Sequence, residues 1–122
     1  MDVNCQEFVD SLVSLSEGLQ VSRRETMEYW RPDEPPVTIL FAALGDRIAE
    51  DFDVVGADVN QRVFRLVEEA MGSGDIGLVT AVATGLIEAI TAEAAHKEGL
   101  WPRIAPMLGE LSRRHAEAWL AP

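Results

Sequence analysis

Residues 68–80 read EEAMGSGDIGLVT. Gly72, Gly74 and Gly77 stand at the spacing G-x-G-x-x-G, the glycine fingerprint of dinucleotide-binding folds, and the reading of that match decides the fold. The fingerprint works only where a β-strand enters the turn and a helix leaves it, so that both converge on a pyrophosphate. The residues before it do not form a strand pattern. Val59, Val63, Leu66, Val67, Ala70 and Met71 recur at three- and four-residue intervals, which places them on one face of a helix. Asp58 and Gln61 have the spacing of a capping box at its start. Gly72 or Gly74 then stands just past a helix C-terminus, where a positive φ is wanted. Asp75 is the expected N-cap of the next helix. The glycines are therefore read as the joint between two helices, and no nucleotide cofactor is expected.

Working outward, the pattern stays helical. Downstream, Ile76 to Lys97 is apolar almost all round, as in a central bundle helix. Its polar exceptions, Thr80, Thr84, Glu88 and Thr91, are spaced to form one narrow stripe. Gly99 ends it, LWPRIAPML holds two prolines and predicts a short broken helix, and GELSRRHAEAWLAP predicts a last helix with Leu111, His115, Ala118 and Trp119 inward. Upstream, Pro35-Pro36 suits the first turn of a helix, and Val37, Leu40, Phe41, Leu44, Ile48 and Phe52 make its apolar stripe, with Gly56 as the break. Residues 3–17 predict an N-terminal helix stopped at Gly18. Residues 20–34 show no clean period and predict a short helix or irregular segment ending at Trp30. No stretch alternates at period two. The expected fold is all-α, a single domain over residues 1–122 built as a bundle of five or six helices around a central apolar one.

Composition narrows the function classes. With 122 residues and 48% hydrophobic content, the chain suits one hydrophobic core. Its single cysteine, Cys5, forms no internal disulfide framework and fits a reducing compartment. The start MDVNCQEF lacks the basic and apolar regions of a signal peptide. The apolar run at 76–92 is interrupted by Gly77, Thr80, Thr84, Gly85, Glu88 and Thr91, a better buried helix than membrane span. A soluble cytoplasmic protein is expected. The formal net charge is −11, and it is uneven. Residues 1–34 and 35–77 each hold 8 acids against 3 Lys and Arg, whereas residues 78–122 hold 5 against 4. Phosphate contacts need basic residues, so nucleic acid is not the expected partner. A basic protein is, because such a field steers cationic surfaces.

Candidate chemistry is sparse. His96 and His115 are the only histidines, and neither H-x-x-x-H nor C-x-x-C occurs, so no metal site is expected. Glu50, Asp51 and Asp53 lack the glycine-centred loop of a calcium site. Cys5 has no histidine near in sequence, and Ser73 does not match the spacing of a nucleophile elbow. Glu88 lies in a helix otherwise suited to burial; it is a carboxylate of raised pKa, an acceptor for Thr84 or a neighbouring arginine, or the edge of the solvated stripe. The acids at helix C-termini are the remaining group: Glu50, Asp51 and Asp53 after one helix, Glu68 and Glu69 at the end of the next. Negative charge there opposes the helix dipole, and a local rule broken without structural gain marks a candidate binding surface. Trp30, with Met27 and Tyr29 beside it, is the candidate apolar anchor.

From Trp30 the chain resembles a family of small, acidic, all-helical bacterial proteins of unknown biochemical activity. The likeness is carried by WRPDEPPVTILF at 30–41, LVEEAMGSGD at 66–75, AVATGLIEA at 81–89 and LGELSRRHAEAW at 108–119. Ser73-Gly74-Asp75 followed by Ala81 to Glu88 is its most specific piece. It covers Trp30 to Leu120, and residues 1–29 fall outside it. Members stand beside genes for polymorphic or contact-dependent toxins, so the resemblance implies an immunity protein. It implies binding of a cognate basic toxin, no catalytic residues and no cofactor. Trp30, Glu50, Asp51, Asp53, Glu68 and Glu69 are the expected contact residues. The alternatives are a self-associating scaffold or regulatory subunit, and a small enzyme using Glu88.

Overall fold

The computed structural model describes residues 1–122 and contains helices and no strand. In chain order they are α1 (Val3–Val13), α2 (Glu17–Trp30), α3 (Val37–Glu50), α4 (Phe52–Val55), α5 (Ala57–Met71), α6 (Ile76–His96), α7 (Trp101–Ile104) and α8 (Glu110–Leu120). The joint at 72–75 lies between two of them, α5 and α6. Gly72 closes α5, Gly74 takes the positive φ of +80°, and Asp75 accepts from the Leu78 N–H at 2.9 Å as the N-cap of α6. No strand precedes the glycines, so the nucleotide fingerprint is a coincidence of spacing.

There are eight helices where five or six were expected, and the additions have local causes. Residues 17–30 form a full helix because Ser16 caps it, accepting from the Leu19 N–H at 3.1 Å. Its apolar face is narrow, with only Leu19 and Ser22 buried, which is why periodicity left a short helix and an irregular segment both open; it ends at Trp30 as expected. The N-terminal helix stops at Val13 and not at Gly18, which lies in the first turn of α2. Asp51 separates the short α4 from α3. The predicted capping box also fails. Gly56, at φ +85°, is the N-cap of α5, so Asp58 sits inside the first turn and makes no capping bond. Instead, buried Asn60 donates from Nδ2 to the Phe52 carbonyl at 2.8 Å and ties α5 to α4.

One core of 27 buried residues runs from Cys5 to Ala116. Residues 1–29 belong to it: α1 contributes Cys5, Phe8, Val9, Leu12 and Val13, and the Phe8 ring stacks on Phe41 at 5.5 Å. The long helix α6 lies centrally, against α1, α3, α5, α7 and α8. Its closest neighbour is α3, and two glycines set the approach. A Cβ on Gly85 would stand 2.7 Å from Phe41 Cβ and 3.1 Å from the Thr38 carbonyl. A Cβ on Gly45 would collide with the Leu86 carbonyl. Between Ala81 and Ile87 the helix is wound as a π-helix, which shifts the register of residues 88–96. The predicted polar stripe is broken there: Thr80 and Thr84 are exposed, Glu88 is half-buried, and Thr91 is fully buried, donating to the Ile87 carbonyl at 2.7 Å.

α6 is the one helix long and apolar enough to cross a membrane, with mean hydropathy 1.5 over its most apolar 18 residues; half of that window is buried inside the protein. The last helix is rotated from its predicted setting. Ser112 and Ala116 face inward, His115 is half-buried, and Leu111, Ala118 and Trp119 are exposed. Polar contacts from α5 and α6 set this orientation.

Candidate functional site

Helices α2 and α3 are antiparallel neighbours. Ser22 Oγ donates to the Ala43 carbonyl at 3.3 Å, and Arg47 reaches Glu25 at 3.6 Å. Because small residues (Ser22, Thr26, Ala43) line the seam, an open groove of about 440 Å³ remains between the helices. Trp30, Tyr29 and Ile39 form its apolar end, and Glu25 stands on its wall. Tyr29 is 84% exposed and meets the half-buried Trp30 edge-on, with ring centroids 6.2 Å apart. Met27 is not part of this surface. It turns to the other side of α2, beside Met1, Gln6 and Glu34.

The face of α3 continues from Ile39 through Ala43 to Asp46 and Glu50, at helical spacing. Neither acid has an ion-pair partner. Partial burial raises the Asp46 carboxyl above its ordinary pKa, and the neighbouring charges of Glu93 and Glu50 raise it further. The groove itself carries one acid, Glu25, paired with Arg47, and the unpaired Asp46 and Glu50 lie farther along α3, outside its lining.

The other predicted contact acids are dispersed. Asp51 is half-buried between Arg47, 3.9 Å away, and the backbone of Gly18. Asp53 forms a two-pronged ion pair with Arg103, whose guanidinium also lies 5.2 Å above the Phe52 ring. The hydrogen bond from Arg103 holds the Asp53 carboxyl below the usual range. Glu68 is the largest departure from expectation. Its carboxylate accepts from the backbone N–H of Leu111 at 2.9 Å and of Ser112 at 3.0 Å, and from Ser112 Oγ at 2.7 Å. It caps the N-terminus of α8 from α5, supplying what Gly109 at the N-cap position cannot. Burial works against the charge, but the three hydrogen bonds outweigh it and lower the pKa. The expectation that these acids bring no structural gain is thus corrected for Asp53 and Glu68. Glu50 and Glu69 remain exposed and unpaired.

Glu88 meets His115 of α8, with Oε2 2.9 Å from Nε2. Periodicity put both residues on plausible faces but carried no sign that they meet. The only signal for the Glu68 cap was negative: Gly109 begins a helix without an acceptor of its own. None of the pockets at the α2–α3, α1–α5 and α5–α8 seams includes Thr84 or Glu88. Cys5 is buried, and burial together with Asp2 pushes its thiol up to about 11. No group of three His, Cys, Asp or Glu side chains is placed to hold a metal ion. No protein-family model matches the chain, and no curated protein or solved structure matches it significantly.

Proposed function

We propose that this protein is a non-catalytic binding protein of the immunity type, which neutralises a basic bacterial toxin in the cytoplasm by stoichiometric attachment. The observation that carries this reading is the α2–α3 surface, where the exposed Tyr29 and half-buried Trp30 line a groove and the unpaired Asp46 and Glu50 stand farther along the same face of α3. Aromatic side chains beside a cavity are the usual anchors of protein interfaces. Unpaired acids around them favour cationic partners and speed encounter. The net charge of −11 extends that attraction beyond contact distance. Glu50, Glu69 and Trp30 are the members of the expected contact set free to meet a partner. Asp53 and Glu68 are engaged elsewhere, with Arg103 and with the start of α8.

Co-expression with the product of the adjacent gene tests this reading. That product should be toxic alone and harmless when this protein is present. The complex should be one-to-one, and its association rate should fall as salt rises. Trp30→Ala should weaken binding by about 2 kcal/mol or more, roughly thirtyfold in Kd, as for an interface hot spot. A neighbouring product that is harmless, or remains fully toxic beside folded protein, rejects the reading for that pair. Self-association at low concentration with no partner bound would favour the scaffold alternative.

A further inference from the structure

We propose that α8 is a strap, held to the bundle by two carboxylate latches, that opens as a unit while the other helices stay folded.

Little of α8 is buried. α1 sinks five residues into the core and α3 six. α8 sinks only Ser112 and Ala116, while Leu111, Trp119 and Leu120 remain substantially exposed. Burial of apolar surface, which holds helices such as α1 and α3, is therefore slight for this helix, as it is for α2. Its attachment is polar and comes at two points one turn apart. Glu68 of α5 takes the N–H groups of Leu111 and Ser112 and the Ser112 hydroxyl. Glu88 of α6 takes His115.

The connection is built for the first latch. Leu108 and Gly109 are extended, and a Cβ on Gly109 would collide with the Glu68 side chain, so the missing side chain admits the carboxylate. Within α8, the pairs Glu110–Arg114 and Arg113–Glu117 stabilise the helix without reference to the bundle. A released α8 can thus stay partly helical. Elements with few buried apolar contacts are the ones that open below the global unfolding free energy. In α8 the opening is governed by two side chains that belong to other helices.

Hydrogen exchange resolved by residue tests the strap. In the unaltered protein, the Ala116 and Glu117 amides should exchange at least about tenfold faster than Ile87 and Ile90 of α6, as expected for a sub-global opening. Glu68→Ala should accelerate the α8 amides by a further factor of about ten, the effect of one lost helix cap, and leave α3 and α6 unchanged. His115→Ala removes the second latch from the α8 side and should act on the same amides. It serves alone if Glu68→Ala does not fold. Glu69→Ala, next in sequence but exposed, should leave the exchange of the α8 amides unchanged. If α8 exchanges in step with α6, or if the latch variants accelerate all helices equally, α8 is an inseparable part of the bundle and the strap is rejected.

Discussion

Two acids of the same type, adjacent in sequence, have opposite roles. Glu68 and Glu69 both end α5, and both oppose its dipole. Glu68 recovers that cost by capping α8, where its charge meets the positive end of another helix. Glu69 has no such partner. The Glu68 pKa is lowered in the folded state from an ordinary value near 4.5. An acid with a depressed folded pKa contributes stability that is complete above its unfolded pKa and is lost as pH falls through the folded value. Acid titration of stability should therefore be less steep below pH 4.5 in Glu68→Gln than in the unaltered protein. Equal acid profiles for the Glu68 variant and the parent would show that the cap adds no pH-dependent stability.

At the scale of elements, the α3–α6 contact decides the arrangement of the core. Helices approach this closely only where side chains are missing, and Gly45 and Gly85 supply the gaps from opposite sides. The α6 residues nearest this contact are wound as a π-helix from Ala81 to Ile87. The extra width of that turn leaves Val82, Leu86, Ile87 and Ile90 buried together. Gly85→Ala should destabilise by about 1–3 kcal/mol, the usual result of overpacking a tight interior. The clash is with Phe41 Cβ and the Thr38 carbonyl, which are not flexible chain ends. Chemical denaturation measures this directly, and an unchanged midpoint would mean that α3 and α6 separate freely. Gly72→Ala offers the contrast, because its Cβ would meet nothing closer than 3.7 Å and its φ is −93°.

Across the whole molecule, the negative charge divides into a part that builds the fold and a part left to solvent. Asp2, Glu68 and Asp75 cap helices, and Asp53 pairs with Arg103 across to α7. Glu28, Asp46, Glu50 and Glu69 pair with nothing. Charge reversal should therefore have two outcomes. Glu50→Lys together with Glu69→Lys should keep the helical spectrum and thermal midpoint while slowing association with a basic partner, most visibly at low salt. Asp53→Lys should lower the midpoint by placing a cation against Arg103. If the Glu50 and Glu69 reversals leave association unaffected at every ionic strength, the partner does not approach this acidic surface.

Some of the helices and one joint were legible in the sequence because they depend on local spacing. The Gly72–Asp75 joint, the α3 stripe and the apolar character of α6 follow from three- and four-residue periodicity and from what caps and turns require. The N-terminal helix was legible too, but not its packing on Phe41, since periodicity identifies an inner face without saying what it meets. The candidate surface was half legible. Trp30 and the acids could be named, but the groove exists only because α2 lies antiparallel to α3 and small residues line the seam. The orientation of α8 was hidden for a related reason. Hydrophobic periodicity assumes that burial sets the inner face, and it placed Leu111 and Trp119 there. The tertiary structure turned Ser112 and Ala116 inward, because unsatisfied amides at a glycine-capped helix start needed an acceptor and Glu68, 43 residues earlier in the chain, supplied it.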